Sequence, residues 1–289
     1  MERELWKSLY AMVVELDKPW GDWKFTAADI VLVYLWAALH DRPMNWAVDK
    51  GNWPHDLCPV CLPSQSTLSR RMRKSESQQL MTEIETTWLA VACVSTMLIK
   101  TIDGKPLAVS GVTKDIDAGY GRGAGGMQKG YKFFAVWSSG PLPLAWALGP
   151  MNKSEKTMAR ELIPTLPGGG YLLGDPEYDS NSLHELTQAQ GHQLLTPKRQ
   201  KHRGVGHRKQ SPSRLRSIEL MQRAFGKSVY RFRRQIERNF GNFTSFGGGL
   251  TCLPAWVRRF TRVRNWVQAK LLINASRWFK NHPEMLALA

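Results

Sequence analysis

Two stretches decide how this chain folds: Met97-Leu98-Ile99-Lys100-Thr101-Ile102-Asp103 and Tyr171-Leu172-Leu173-Gly174-Asp175. Each is a short β-prone run that ends on an aspartate. Working outward from the first, residues 104–130 contain Gly119, Gly121, Gly123, Gly125 and Gly126 and read as a mobile loop. Residues 131–137 read as a second strand, Ser138-Ser139-Gly140-Pro141 as a turn and residues 142–148 as a third strand, a meander of three antiparallel strands. A helix from Asn152 to about Ile163 is stopped by Pro164, Pro167 and Gly168-Gly169-Gly170. Beyond the second stretch the pattern gives a helix at 180–189, a short strand at 193–196, helices at 218–225 and about 230–240, and a last helix at about 254–279. A hairpin meander followed by alternating strands and helices predicts an α/β fold, a mixed sheet with flanking helices.

Residues 1–95 read as a separate helical module. Thr26 is placed to cap a helix, with Asp29 three positions on and apolar residues at Ile30, Val31, Val33, Tyr34 and Ala37. Gly51-Asn52-Trp53-Pro54-His55 is a turn, and residues 64–74 and 78–89 read as further helices. The expected division is 1–95 as a helical module and 96–289 as an α/β domain with a basic C-terminal region.

The chain has 289 residues, 43% hydrophobic, with 12 Trp and 10 Phe, a composition that buries a core and excludes disorder. Its formal net charge is +16, unevenly spread. Residues 1–195 hold 19 Lys and Arg against 21 Asp and Glu; residues 196–289 hold 21 against 3. A basic third on a near-neutral body points to a polyanion, with nucleic acid ahead of an anionic membrane surface. The four cysteines, Cys58, Cys61, Cys93 and Cys252, form no disulfide framework. His55, Cys58 and Cys61 would give three zinc ligands, but a lone Cys-x-x-Cys lacks the second pair and reads as free thiols. With no signal-type leader and no apolar run of membrane-spanning length, the sequence reads as cytoplasmic.

Asp103 and Asp175 sit at strand ends, and Glu237 falls in a helix after the last strand. Phosphodiester cleavage by metal ions uses such carboxylates, because hard cations such as Mg²⁺ take oxygen ligands and activate a water or hydroxyl. Each acid also has a structural reading. Asp103-Gly104 is a turn signal, Asp179 is placed to cap the helix after it, and Glu237 stands among Arg231, Arg233, Arg234 and Arg238 as an ion-pair partner.

Three motifs together resemble the DDE transposases of bacterial insertion sequences. They are Thr101-Ile102-Asp103-Gly104, then Leu173-Gly174-Asp175-Pro176-Glu177-Tyr178-Asp179-Ser180, then Tyr230-Arg231-Phe232-Arg233-Arg234-Gln235-Ile236-Glu237. Tyr230, Arg233 and Glu237 fall at the offsets of that group's Tyr-(2)-Arg-(3)-Glu-(6)-Lys signature, while its final position is Thr244 here. Residues 129–136 and the helix after Asn152 also look like elements of the family. The resemblance implies an RNase H-like fold over about 96–280. It implies Asp103, Asp175 and Glu237 as catalytic metal ligands for Mg²⁺, with Mn²⁺ able to substitute. Tyr230 and Arg233, with Arg234 beside them, would contact phosphates. The partners implied are double-stranded DNA, at transposon ends and at the target, and a second copy in a synaptic homodimer. The setting implied is the bacterial nucleoid. Two other readings stay open: another RNase H-like nuclease such as a resolvase, and a catalytically inactive transposase-derived DNA-binding protein.

Further DNA contacts are expected from the basic loop carrying Lys198, Arg199, Lys201, Arg203, Arg208 and Lys209. The helix at 64–74, with Arg70, Arg71 and Arg73, reads either as the recognition helix of a helix-turn-helix or as a solvated cap on the catalytic domain. The last helix alternates Arg258, Arg259, Arg262 and Arg264 with Trp256, Val263, Trp266 and Leu271, an apolar set expected to pack on the sheet.

Overall fold

The computed structural model describes residues 2–18, 23–92, 98–109, 113–123, 125–200, 204–205 and 209–286. It divides into two compact units, residues 1–92 with 243–289, and residues 93–242. The sequence-based division at residue 95 falls close to the first boundary, whereas residues 243–289 group with the N-terminal helices.

The helical unit begins with α1 (Glu2–Glu15), α2 (Ala27–Leu39), α3 (Met44–Ala47), α4 (Gln65–Arg71) and α5 (Ser75–Ala92). The start of α2 is the one read from sequence. Thr26 Oγ1 accepts from the Asp29 amide at 3.1 Å and Asp29 Oδ2 accepts from the Thr26 amide at 2.8 Å, a reciprocal cap. Once started, α2 is buried on every side, as its uninterrupted apolar run requires. Ser64 caps α4 in the same manner, accepting from the Thr67 amide at 3.2 Å.

The second unit is built on six strands: β1 (Ile99–Ala108), β2 (Gly119–Gly123), β3 (Gly126–Trp137), β4 (Ala145–Pro150), β5 (Gly170–Leu173) and β6 (His192–Leu195). Strand β3 pairs antiparallel with β1 on one side, while β4 and β2 follow one another along its other side. β5 adds to β1 in parallel and β6 adds to β5 in parallel. Helices α6 (Glu155–Leu162), α7 (Asn181–Ala189), α8 (Pro212–Gln222), α9 (Ala224–Tyr230) and α10 (Arg234–Thr244) complete it, with a tight 3-10 turn at Arg231–Arg233 joining the last two.

Strand periodicity of two sorts the side chains onto two faces. One face buries Ile102, Phe134, Val136, Leu172 and Leu194 against Met158, Leu162 and Leu183 of α6 and α7. On the opposite face Leu173 and Leu195 meet Val229, and Phe133 and Trp137 meet Phe240 of α10 at ring separations of 6.1 and 5.6 Å. An α/β unit with a mixed sheet and flanking helices is the architecture expected from sequence.

The expected loop at 104–130 is corrected: β1 runs past Asp103 to Ala108, and β2 with β3 forms a hairpin. Glycines mark close approach here, not only flexibility. A Cβ on Gly130 would lie 2.3 Å from the Leu107 carbonyl oxygen, and Gly126 takes φ +101° at the hairpin turn. The expected strand start at Met97, like Cys93, lies outside the described residues.

The last long helix, α11 (Phe260–Lys280), also departs from expectation. Its apolar residues pack on α1, α2 and α5 and not on the sheet, making it the central helix of the first unit. A pattern reading is misdirected because α11 buries polar as well as apolar residues, several of them hydrogen-bonded to neighbouring helices. Lys270, fully buried, donates to the Ala38 carbonyl at 2.5 Å and to Asp41 Oδ1 at 2.6 Å. Gln268 donates to Glu85 at 2.9 Å and Asn265 to the Met72 carbonyl at 3.2 Å. Among the described residues no helix is long and apolar enough to cross a membrane.

Lys270→Ala vacates a fully buried site and should therefore cost about 3 kcal/mol. In urea titrations this should appear as a lower midpoint with an unchanged slope. A midpoint within error of the parent would show that this buried amine does not tie α11 to α2.

Candidate active site

Asp103 and Asp175 come together through strand register. β1 and β5 are parallel, with Thr101 opposite Leu173. Continuing each strand by two residues sets Asp103 opposite Asp175, both on the face that carries Thr101 and Leu173. The two carboxylates are near enough for the charge of Asp175 to act on Asp103. Asp103 lies inside β1, not at its end as read from sequence, and its Oδ1 accepts from the Gly104 amide at 2.8 Å. Asp175 follows β5 and caps a one-turn 3-10 helix, its Oδ1 accepting from the Glu177 amide at 2.8 Å.

The Arg233 guanidinium faces this pair. Arg233 donates from one terminal nitrogen to Asp103 Oδ2 at 3.0 Å and from the other to Glu237 Oε1 at 3.1 Å. The offsets Tyr230, Arg233 and Glu237 put all three on one side of the α9–α10 segment. The 3-10 turn between these helices turns that side toward the strand ends. Tyr230 donates its hydroxyl to the Gly174 carbonyl at 3.1 Å, fastening the segment beside Asp175.

Burial sets the electrostatics. The Asp103 side chain is 20% exposed, and desolvation pushes its pKa up to about 6 from the usual 3.8, although Arg233 and the Gly104 amide pull it down. Burial also raises Tyr230 to about 12 and works against the charge of Arg233, but the carboxylates around Arg233 keep it firmly protonated. Glu237, 64% exposed, stays at the rim.

Among the described residues no three His, Cys, Asp or Glu side chains gather closely enough to enclose a metal ion. Asp103 and Asp175 carry hard oxygen donors of the kind a divalent cation takes. In this conformation Glu237 is turned to Arg233, whose guanidinium holds the positive charge beside Asp103.

Residues that the sequence reading missed frame the site. Asp179 does not cap α7, whose N-cap position is Ser180. It is buried and takes Arg214 in a two-pronged pair, at 2.6 and 2.8 Å, together with the Arg199 amide at 3.0 Å. This pair holds the start of α8 against the loop that carries Asp175. Burial opposes the charge of Asp179, but Arg214, His184 and the Arg199 amide outweigh it and hold its carboxyl well below the usual range. Lys132 pairs with Glu155, whose charge also reaches Asp103. No motif spacing signals Arg214, while a lysine at position 132 within an apolar strand run is a visible irregularity.

The remaining expected contacts divide. Arg234 is exposed on α10, and Lys209 is exposed. Lys198 is half-buried, and Arg199 meets Glu177 at 3.2 Å beside the site. Lys201, Arg203 and Arg208 lie outside the described residues. In the helical unit Arg70 is exposed on α4 and Arg73 just beyond it, but Arg71 corrects its expectation. It is buried, its guanidinium 4.7 Å from the centroid of the Trp23 ring. Cys58 and Cys61 are free thiols.

Because Asp103 titrates higher when folded than when unfolded, it contributes stability at low pH that is lost as pH rises through about 6. Asp103→Asn should accordingly raise, not lower, the thermal midpoint of the ion-free protein at neutral pH; a clear drop would contradict the desolvation argument. Asp179 has the opposite sign, its stabilisation being present above the ordinary carboxylate range and lost as acid protonates it. Arg214→Ala should cost about 3 kcal/mol at neutral pH and flatten the acid limb of the stability–pH curve. An acid limb identical to the parent's would remove Asp179 from that account.

No curated protein and no solved structure matches the chain. A family model does match, described as the transposase DDE domain, over residues 95–271. The match takes in more than half of the chain and all three of Asp103, Asp175 and Glu237, and the chain belongs to the transposase DDE domain family.

Proposed function

We propose that this member of the transposase family is an insertion-sequence enzyme that binds transposon-end DNA, cleaves it with a divalent ion and joins the freed 3′-hydroxyl to target DNA. The observation that carries the reading is the parallel register that sets Asp103 beside Asp175 under the Arg233 guanidinium. The order β4–β3–β1–β5–β6, with the first three antiparallel and the last two parallel to β1, supports an RNase H-like unit. So does the Tyr230, Arg233, Glu237 spacing on one helical side.

Asp103 and Asp175 are the residues that would hold Mg²⁺ or Mn²⁺, with Glu237 completing the set once it leaves Arg233. Such an ion supplies Lewis-acid stabilisation of charge on phosphate oxygens and activates the attacking oxygen. The chain's own groups do the rest. Asp103 must give up the proton that burial favours. Arg233, released from its two carboxylates, offers a planar fork suited to a phosphate. Tyr230 keeps the helix in place, and exposed Arg231, Arg234 and Arg238 give phosphates a basic approach.

The sheet unit carries 23 Lys and Arg against 11 Asp and Glu, so the polyanion partner reads as double-stranded DNA running over it. The helical unit offers α4, with Gln65, Ser66 and Arg70 exposed and Arg73 just beyond, as a helix-turn-helix element for the DNA end. A synaptic homodimer in the nucleoid completes the reading.

Glu237 favours a second reading. An exposed Glu237 held by its own helix neighbour suits a transposase-derived DNA-binding protein that no longer cuts. Purified protein with Mg²⁺ and duplex DNA separates the two. Cleavage should appear, should fall by several orders of magnitude in Asp103→Asn and Glu237→Gln, and should leave DNA affinity within a few-fold. Cutting that survives Glu237→Gln removes this residue from the chemistry. Wild-type protein that binds duplex without cutting it in Mg²⁺ or Mn²⁺ decides for the second reading.

A further inference from the structure

The hairpin of β2 and β3 has two unlike faces. Gly119, Gly121 and Gly123 project to one side, with Gln128 opposite Gly121. Tyr120 stands opposite Lys129 and Arg122 opposite Met127, so these four share the other side. Tyr120 is 65% exposed, Met127 70%, and Arg122 is exposed beside them. Lys129 reaches over the Tyr120 ring, 5.9 Å from its centroid. Large apolar side chains left in water next to two cations, on a ribbon whose residues 118–130 hold no acid, are not explained by packing within the chain.

Register ties this face to the candidate active site. Asp103 pairs with Ala135, Lys105 with Phe133 and Leu107 with Tyr131. Alternation then carries the same sheet face onward to Lys129 and Met127, and across to Tyr120 and Arg122. The ribbon therefore emerges on the face that bears Asp103, beyond the part covered by Phe240. At ~3.4 Å per residue, Lys129 and Met127 lie about 20 and 27 Å along β3 from Ala135. That span is about six to eight base pairs of a duplex laid on this face. The base of the ribbon is firm: Tyr131 donates its hydroxyl to buried Asp115 Oδ2 at 2.8 Å, and Lys129 donates to the Thr113 carbonyl at 3.3 Å.

We propose that Tyr120, Arg122, Met127 and Lys129 form a DNA-contacting β-ribbon that grips the duplex about six to eight base pairs from the cleaved phosphate. Arg122 and Lys129 supply phosphate contacts, and Tyr120 and Met127 supply an apolar wedge against sugar and base edges. The inference rests on the reading of the chain as an enzyme acting on duplex DNA. It assigns the partner of a surface distinct from the carboxylates.

The test uses the full chain and a fluorescein-labelled duplex of mixed sequence, followed by anisotropy across a salt series. Tyr120→Ala should weaken binding about tenfold. Arg122→Ala should lower the salt slope by about 0.9, and Arg122→Lys should restore that slope. Circular dichroism should match the parent, since both side chains are exposed. Met127→p-benzoylphenylalanine should cross-link to the duplex on irradiation. Unchanged affinity and slope in both alanine variants, or a cross-linker that leaves DNA unmarked while the parent binds it, overturns the ribbon and leaves the proposed function standing. Parent protein that binds no duplex overturns both. A dimer that falls to monomer in Tyr120→Ala, with duplex affinity intact, gives this face to a second copy and overturns the DNA contact.

Discussion

The parallel pairing of β1 with β5 is the constraint on which the candidate site depends. Two like charges are held side by side there, an arrangement that a flexible chain would avoid. The opposite face of the sheet enforces it: Ile102, Leu172 and Leu194 are locked into one core with α6 and α7. A slip of one residue would turn Asp103 into that core and Ile102 out of it, so apolar burial fixes the position of the acid. The stability of the sheet thus supports a local electrostatic cost, visible in the raised pKa of Asp103.

Arg233 meets that cost. Its fork spans Asp103 and Glu237 and is brought there by a 3-10 turn that breaks the α9–α10 run at the needed place. Two fastenings keep the facing segments in position, Tyr230 on the Gly174 carbonyl and Arg214 on Asp179. Both act on the short loop after β5, so the geometry of Asp175 is set from α9 on one side and from α8 on the other.

Charge follows the same organisation. The basic surplus that the sequence places in the last third belongs mainly to the sheet unit, which carries the acids. The sheet face that bears Asp103 continues along β3 into the ribbon of Tyr120, Arg122, Met127 and Lys129.

Local chemistry was legible in the sequence wherever one segment contained all its own causes. The Thr26 cap, the apolar run of α2, the strand ending near Asp175 and the one-sided spacing of Tyr230, Arg233 and Glu237 are of that kind. The mixed α/β order followed from them. Tertiary structure alone decided the rest, because the causes lie far apart in the chain. The hairpin at 119–137 forms because β3 has partners on both sides, which turns a glycine-rich stretch into ordered strand. Arg71 lies under Trp23, Lys270 is buried on Ala38 and Asp41, and Asp179 pairs with Arg214 in place of capping a helix. A charged side chain carries no mark of whether a distant partner will take it out of water. Only the folded chain supplies that partner, and with it the balance of desolvation and pairing that separates an exposed contact from a buried strut.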